Sequence, residues 1–210
     1  MKFHDKNIVL QSKYKITALF YDILDYPWER LYQKWRPVLV KDIRGKVLEA
    51  GVGTGRNLEF YHKDVELHGI ELSKQMIVQA SKKMKNVSCK VKLIHEDATI
   101  MRSIESNQFD WVFSTFMCCV MPDELQEQTI AQFARVLKPG GRFRLLEIVY
   151  SKDQKIRRRQ QIMAPLVEKI YGARFDRNTL RYIKMSPDLE ITKTTFLKDD
   201  TYLVIEGIRV

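Results

Sequence analysis

Three glycines at two-residue spacing, Gly51, Gly53 and Gly55, lie in the segment VLEAGVGTGRN (residues 47–57), and two carboxylates follow, Glu71 sixteen residues beyond Gly55 and then Asp97. Such a string lets the backbone turn sharply against a ligand. A helix opened by Thr54 would aim free N–H groups and the positive end of its dipole at a polar or anionic group held in the turn. An acid at the end of a second strand can hold two ribose hydroxyls, and one at the end of a third can accept a hydrogen bond from an adenine amino group. The set reads as a nucleotide cradle.

The elements that must position these residues are legible around them. Val47 and Leu48 begin a short apolar run suited to a strand covered on both faces, and a helix is expected over 58–61. Further strands are expected over 65–70, ending at Glu71, over 90–95, running into Glu96, Asp97 and Ala98, and over 109–116. Ser73 should cap a helix over 73–84, and another over 123–137 should start after Pro122. Pro139, Gly140 and Gly141 should end that helix and lead into a fifth strand over 142–149. Helical spacing returns after Tyr150 as far as 171 and again over 178–184, before a hairpin of 190–197 and 202–210 about the turn at 198–200. Ahead of all this, residues 12–43 carry aromatic and aliphatic residues at helical spacing, which predicts two helices broken near Pro27, with Pro37 limiting or kinking the second. That stripe suits core packing, a lid over the ligand, or both.

The fold class expected is α/β: a Rossmann-like, doubly wound, seven-stranded and mostly parallel sheet with an antiparallel C-terminal strand and N-terminal lid helices. The 210 residues and 45% apolar content suit one domain. Its parts would be a helical lid (1–44), a ligand-binding core (45–150), a helical insertion (151–188) and a C-terminal hairpin (189–210).

No run of 18 apolar residues and no secretory signal is present, so a cytoplasmic protein is expected, with a peripheral place at the inner membrane surface as an option. Three cysteines, two of them adjacent, form neither a disulfide framework nor a zinc pattern, and no metal is expected. A net charge of +10 attracts polyanions. The densest basic patch, residues 152–159, holds five basic residues against Asp153. It reads as a solvated helix face, an anionic-membrane contact or a nucleic-acid contact.

In their order, these motifs resemble the class I S-adenosylmethionine-dependent methyltransferases from Tyr21 to Val210. The segments YDILDYPWERLYQKWRP, VLEAGVGTGRNLEFY, HGIELSKQM and FSTFMCCVMPD are similar to a narrower, type-11-like branch. It contains bacterial phospholipid N-methyltransferases, alkyl-thiol methyltransferases and the ubiquinone and menaquinone C-methyltransferases. The resemblance implies S-adenosylmethionine as cofactor. Glu49 and the turn from Gly51 to Gly55 would then face its methionine part, with Ala50 and Asn57 in the same site, and Glu71 would hold the ribose. Asp97 and Ala98 would meet the adenine, Leu72 and Met76 would pack near that ring, and Ser114 and Thr115 would floor the site beside the sulfonium. Tyr21 and Asp22 look like the tyrosine–aspartate pair that several such enzymes fold over the cofactor. Aspartate is common in that branch where this chain has Glu71, and the extra methylene tolerates the same hydroxyl contact.

Methyl transfer from a sulfonium is an in-line displacement, in which orientation supplies about 7–11 kcal/mol and a general base about 2–5 kcal/mol. Glu147, a carboxylate in an otherwise apolar strand, is the candidate catalytic acid or base. Burial would raise its pKa, and the competing reading is an ion pair with a neighbouring Arg or Lys. Tyr21 and Tyr26 are weaker candidates as lid contacts, and His95 reads as structural. Cys118 and Cys119 follow the fourth strand, where a thiol could act, although cysteine is more often a small buried hydrophobe. Phe116, Met117, Val120 and Met121 favour an apolar, lipid-like or small acceptor: a phosphatidylethanolamine amine, a quinol carbon or a thiol. Nucleic acid is disfavoured because the Asp/Asn-Pro-Pro-Tyr/Phe motif of aminobase methyltransferases is replaced by Ser114-Thr115-Phe116-Met117. No obligate protein partner is expected. Two alternatives stay open. One is a cofactor-binding regulatory or RNA-associated protein; the other is a dinucleotide-dependent oxidoreductase, although Arg56 stands where its third glycine would fall.

Overall fold

A computed structural model describes residues 26–210, with side chains described from Trp28 onward. The elements are α1 (Tyr26–Val40), β1 (Gly45–Ala50), β2 (Val65–Glu71), α2 (Lys74–Lys83), β3 (Lys90–His95), β4 (Phe109–Thr115), α3 (Asp123–Val136), β5 (Leu137–Ile148), α4 (Gln154–Tyr171), α5 (Thr179–Met185), β6 (Leu189–Phe196) and β7 (Tyr202–Arg209). The strands form one sheet in the order β3-β2-β1-β4-β5-β7-β6. Only β7 runs against the rest, paired antiparallel with both β5 and β6. This is the expected doubly wound sheet. Its order reverses between β1 and β4, where a crevice opens at the strands' carboxyl ends.

Alternation along β1 explains the layering. Leu48 and Ala50 point to one face, where they join Val112, Phe143, Ile130 and Phe133. Val47 points to the other, among Leu67, Trp111, Phe113 and the Leu39–Val40 end of α1. Arg144 ties that end down: it takes Asp42 at 2.7 and 2.9 Å and Glu206 at 2.8 Å, and its guanidinium lies 5.3 Å from the Trp111 ring centre.

Three local expectations need correction. The helix at 58–61 is only a 3-10 turn, Leu58–Phe60, whose N-cap position is Asn57 rather than Thr54; the Thr54 hydroxyl accepts from Lys83 at 3.4 Å. The reason is that Asn57 and Tyr61 both turn inward onto the Glu49 carboxylate, which winds the chain around a buried charge. Pro139 and the two glycines lie within a bulge of β5, because Leu137 already pairs with Phe109 before the register resumes at Trp111 and Arg142. Phe116 falls outside β4, its φ of +57° breaking the extended chain. Pro37, expected to limit or kink its helix, lies inside α1 three residues before the helix ends at Val40. The first of the two N-terminal helices, together with Tyr21 and Asp22, lies outside the described residues.

Candidate active site

At the switch point lies a cavity of about 450 Å³. Its floor is the loop after β1 and the turn after β4, and one end is closed by Glu71, Leu72, Asp97 and Ala98. Trp28, Tyr32 and Arg36 of α1 cover it on one side, and Ile156, Arg159, Gln160, Met163 and Val167 of α4 on another.

The glycine loop adopts the geometry its composition permits. Gly51, Gly53 and Gly55 all have positive φ, at +73°, +56° and +78°. A Cβ at Gly55 would lie 2.7 Å from Leu58 Cδ1 and 3.1 Å from the Ala80 backbone, whereas one at Gly53 would meet nothing within 4 Å and enter the cavity. Glu71 is oriented by two backbone donors, Gly53 N–H at 3.1 Å and Ser73 N–H at 2.9 Å. Burial raises its pKa against the pull of those bonds. Asp97 Oδ1 accepts from the Thr99 N–H at 2.8 Å and the Thr99 hydroxyl at 2.7 Å, while Glu96 caps the following turn through Ser103. His95 donates to the Leu72 carbonyl at 2.9 Å and so steadies the residue on the cavity wall.

Behind the loop runs a buried polar chain. Glu29 takes Arg36 in a two-point pair at 2.9 and 2.8 Å and also pairs with Arg56. Arg36 Nη1 donates to Asn57 Oδ1 at 2.6 Å, and Asn57 Nδ2 donates to Glu49 Oε1 at 2.6 Å and to the Thr115 hydroxyl at 3.2 Å. Tyr61 completes it, donating to Glu49 Oε2 at 3.0 Å. Burial pushes Glu49 up to about 7, against the pull of Asn57, Tyr61 and the Arg36 charge. When Glu49 is ionised, two acids and two arginines balance; when it is protonated, Glu29 alone faces Arg36 and Arg56.

Glu147 has the burial expected of it and not the expected ion pair with an Arg or Lys. It is fully buried, and its oxygens accept the backbone N–H groups of Cys118 at 3.0 Å and Cys119 at 2.7 Å rather than a cation. Desolvation pushes it up to about 7, opposed by those bonds. The same turn is held by Gln126, which donates to the Cys118 carbonyl at 3.2 Å, and by the Arg174 N–H on the Cys119 carbonyl at 2.9 Å. Both thiols are buried and pushed well above the ordinary cysteine range, which removes the thiolate that nucleophilic chemistry needs.

Of the residues expected in the site, Gly51, Gly53, Asn57, Glu71, Leu72, Met76, Asp97, Ala98 and Thr115 line the cavity together. Glu49, Ala50, Gly55, Ser114 and Glu147 lie behind its wall, and Ser114 Oγ has no hydrogen-bond partner among the described residues. Tyr21 lies outside the described residues. Arg36, Glu29 and the α4 wall were not anticipated. The signal for the first two was available, as charged residues seven apart within an apolar helical stripe. These residues fit S-adenosylmethionine: a cradle kept open by the missing Cβ of Gly53, an oriented carboxylate, and an apolar slot beside a second one.

Residues 47–141 match the family described as a methyltransferase domain. A phosphatidylethanolamine N-methyltransferase of Cereibacter sphaeroides is 33% identical over 98 residues, 46% of this chain and 47% of that protein. A demethylmenaquinone methyltransferase of Staphylococcus saprophyticus is 27% identical over 159 residues, 72% of this chain and 66% of that one. The chain thus spans about half to two thirds of the length of these curated relatives. Among solved structures, a geranyl diphosphate C-methyltransferase from Streptomyces coelicolor superposes with a TM-score of 0.70 at 14% identity, covering 87% of this chain and 80% of that one. That likeness is one of fold. Fold, cavity and matched segment together define a class I S-adenosylmethionine-dependent methyltransferase domain.

Proposed function

We propose that the chain, working as a single catalytic domain, transfers a methyl group from S-adenosylmethionine to an apolar, lipid-like or small acceptor by in-line displacement. Candidate acceptor atoms are the amine of phosphatidylethanolamine, a quinol carbon and a thiol. The observation that carries this reading is the continuity of the cavity. Its polar end, Gly53, Glu71 and Asp97, runs past Thr115 into an apolar end walled by Val120, Met121, Met163 and Phe175.

When bound, S-adenosylmethionine supplies an electrophilic methyl carbon on a positively charged sulfur. Glu71 would hold the ribose hydroxyls, Asp97 and Ala98 the adenine edge, Leu72 and Met76 its ring, and the Gly51–Gly53 loop with Asn57 the remaining polar groups. The 116–121 turn, braced from below by Glu147, orients the acceptor against Thr115. Glu147 is then a positioning residue, and orientation rather than a base on the cavity wall supplies most of the acceleration. Trp28 and Tyr32 on one side and α4 on the other exclude water. A cytoplasmic protein, with a peripheral place at the inner membrane surface as an option, suits this reading.

The test is a methyl-transfer assay with lipids, small apolar molecules and RNA as separate acceptor pools, paired with calorimetry of S-adenosylhomocysteine binding. Label entering the lipid or small-molecule pool supports the reading. Label in RNA alone, or no heat of binding, overturns it.

A further inference from the structure

Helix α4 is eighteen residues long yet buries one side chain, Gln160, which takes the Ser151 N–H at 2.9 Å and donates to the Val149 carbonyl and the Thr201 hydroxyl at 3.1 Å. Anchored there, the helix turns Ile156, Met163 and Val167 to the cavity. Beside that wall Ile162 is 78% exposed and Leu166 50% exposed, and with Met163 they fall within an arc of about 100° at helical spacing. Lys155 and Arg159 project from the same arc, and Arg158 and Lys169 flank it. Acid is kept off this face. Glu168 lies on the far side against Arg174, and Asp153 is occupied in capping the helix. Arg157, also on the far side, stacks over Tyr150 and belongs to the fold.

We propose that this face of α4 docks on an anionic lipid bilayer, lying in the headgroup plane with Ile162 and Leu166 inserted and the basic side chains on lipid phosphates, so that the cavity it walls opens toward the membrane. A solvated face would account for the arginines but not for exposed adjacent aliphatics. A nucleic acid would take the arginines and leave Ile162 and Leu166 without a role, since no aromatic ring lies in the stripe for bases to stack on. A second copy in two-fold contact would set this basic face against itself. A negatively charged, apolar-cored surface complements both parts of the face. Docking stands on α4 alone; that the acceptor enters from the bilayer rests on the function proposed above.

The experiment is flotation of the full chain with vesicles of phosphatidylcholine alone or with about a third phosphatidylglycerol, at low and high salt. Flotation is expected with anionic vesicles and not with neutral ones. The double variant Ile162→Glu/Leu166→Glu should lower partitioning at least about tenfold without moving the melting temperature, since both side chains are exposed. Lys155→Ala and Arg158→Ala should each lower it about fivefold at low salt and little at high salt. Failure of the wild type to float, or flotation of the double variant like wild type, overturns the proposal. So does a concentration-dependent dimer that the double variant abolishes in a protein that does not float. Flotation as expected with no lipid methylated would sustain docking and reject the lipid acceptor.

Discussion

The Glu147 carboxylate accepts the backbone N–H of Cys119 at 2.7 Å, from β5 into the turn that follows β4. A buried acid spent on two successive backbone donors fixes the path of a loop, and this loop carries Phe116, Met117 and Val120 along the cavity. In Glu147→Gln one N–H would face an amide NH2 instead of an acceptor, so the turn should shift without unfolding the sheet. A displacement of about 1 Å costs roughly a hundredfold in rate. We expect kcat to fall by about that much, with S-adenosylhomocysteine affinity by calorimetry within about twofold of wild type. Unchanged turnover would remove Glu147 from the machinery.

Glu71 should behave in the opposite way. With its carboxylate held by Gly53 and Ser73, it can receive two hydroxyls without further ordering. Glu71→Ala should weaken cofactor binding by about 10- to 100-fold, the worth of one or two charge-assisted hydrogen bonds, and leave kcat at saturation within a few fold. Calorimetry and a saturation curve read the two quantities separately. A loss confined to kcat would place the ribose elsewhere.

How much could be read from the chain follows the distance over which each feature is decided. The glycine string, Glu71 and Asp97 each lie at a strand end, and the strands announce themselves by apolar runs of a few residues, so the sheet and most of the cavity's polar end were legible. Features made by contact across the fold were not. Asn57 bonds Arg36 across 21 residues and Glu49 across 8, and that inward pull unwinds the expected helix. Glu147 invited an ion-pair reading because the N–H groups of Cys118 and Cys119, 29 and 28 residues away, have no side-chain signature. The insertion's helices were visible, but not that α4 walls the cavity.

The Glu29–Arg36–Asn57 chain predicts a stability effect. Arg36→Met keeps most of the aliphatic bulk but leaves Glu29 with Arg56 alone and takes the donor from Asn57 Oδ1. Breaking a buried pair from one side costs about 3–5 kcal/mol. Denaturant unfolding should show a loss near the lower figure, because Arg56 retains part of the charge balance. A loss under about 0.5 kcal/mol, the level of an ordinary surface substitution, would mean that the chain does not hold α1 to the loop.

Glu49 gives a pH dependence of definite sign. Its folded-state pKa is raised by burial from 4.5 to about 7, so the folded protein keeps a proton that the unfolded chain has released. The stabilisation this brings is full below about 4.5 and is lost as pH rises through about 7. Glu49→Gln cannot titrate, so wild-type stability minus variant stability should fall by about 3 kcal/mol over that interval. Glu147 titrates in both proteins and cancels in the difference. Unfolding curves at several pH values test this, and a flat difference would show that Glu49 is ionised throughout.

Two glycines with nearly the same role in the sequence should separate cleanly. Both have positive φ, so alanine at either costs about 1–2 kcal/mol in backbone strain. At Gly55 the new methyl would also press on Leu58 at 2.7 Å and on the Ala80 backbone at 3.1 Å, so Gly55→Ala should destabilise by more than the strain alone while any protein that folds binds cofactor normally. At Gly53 the methyl meets no atom within 4 Å and enters the cavity beside Glu71. Gly53→Ala should therefore lose only the strain energy in an unfolding experiment but bind S-adenosylhomocysteine at least about tenfold more weakly, because the added carbon occupies the space left for the ligand. Thermal unfolding with calorimetry on both variants distinguishes the two roles. If Gly53→Ala bound as wild type does, the ligand would not lie against this loop.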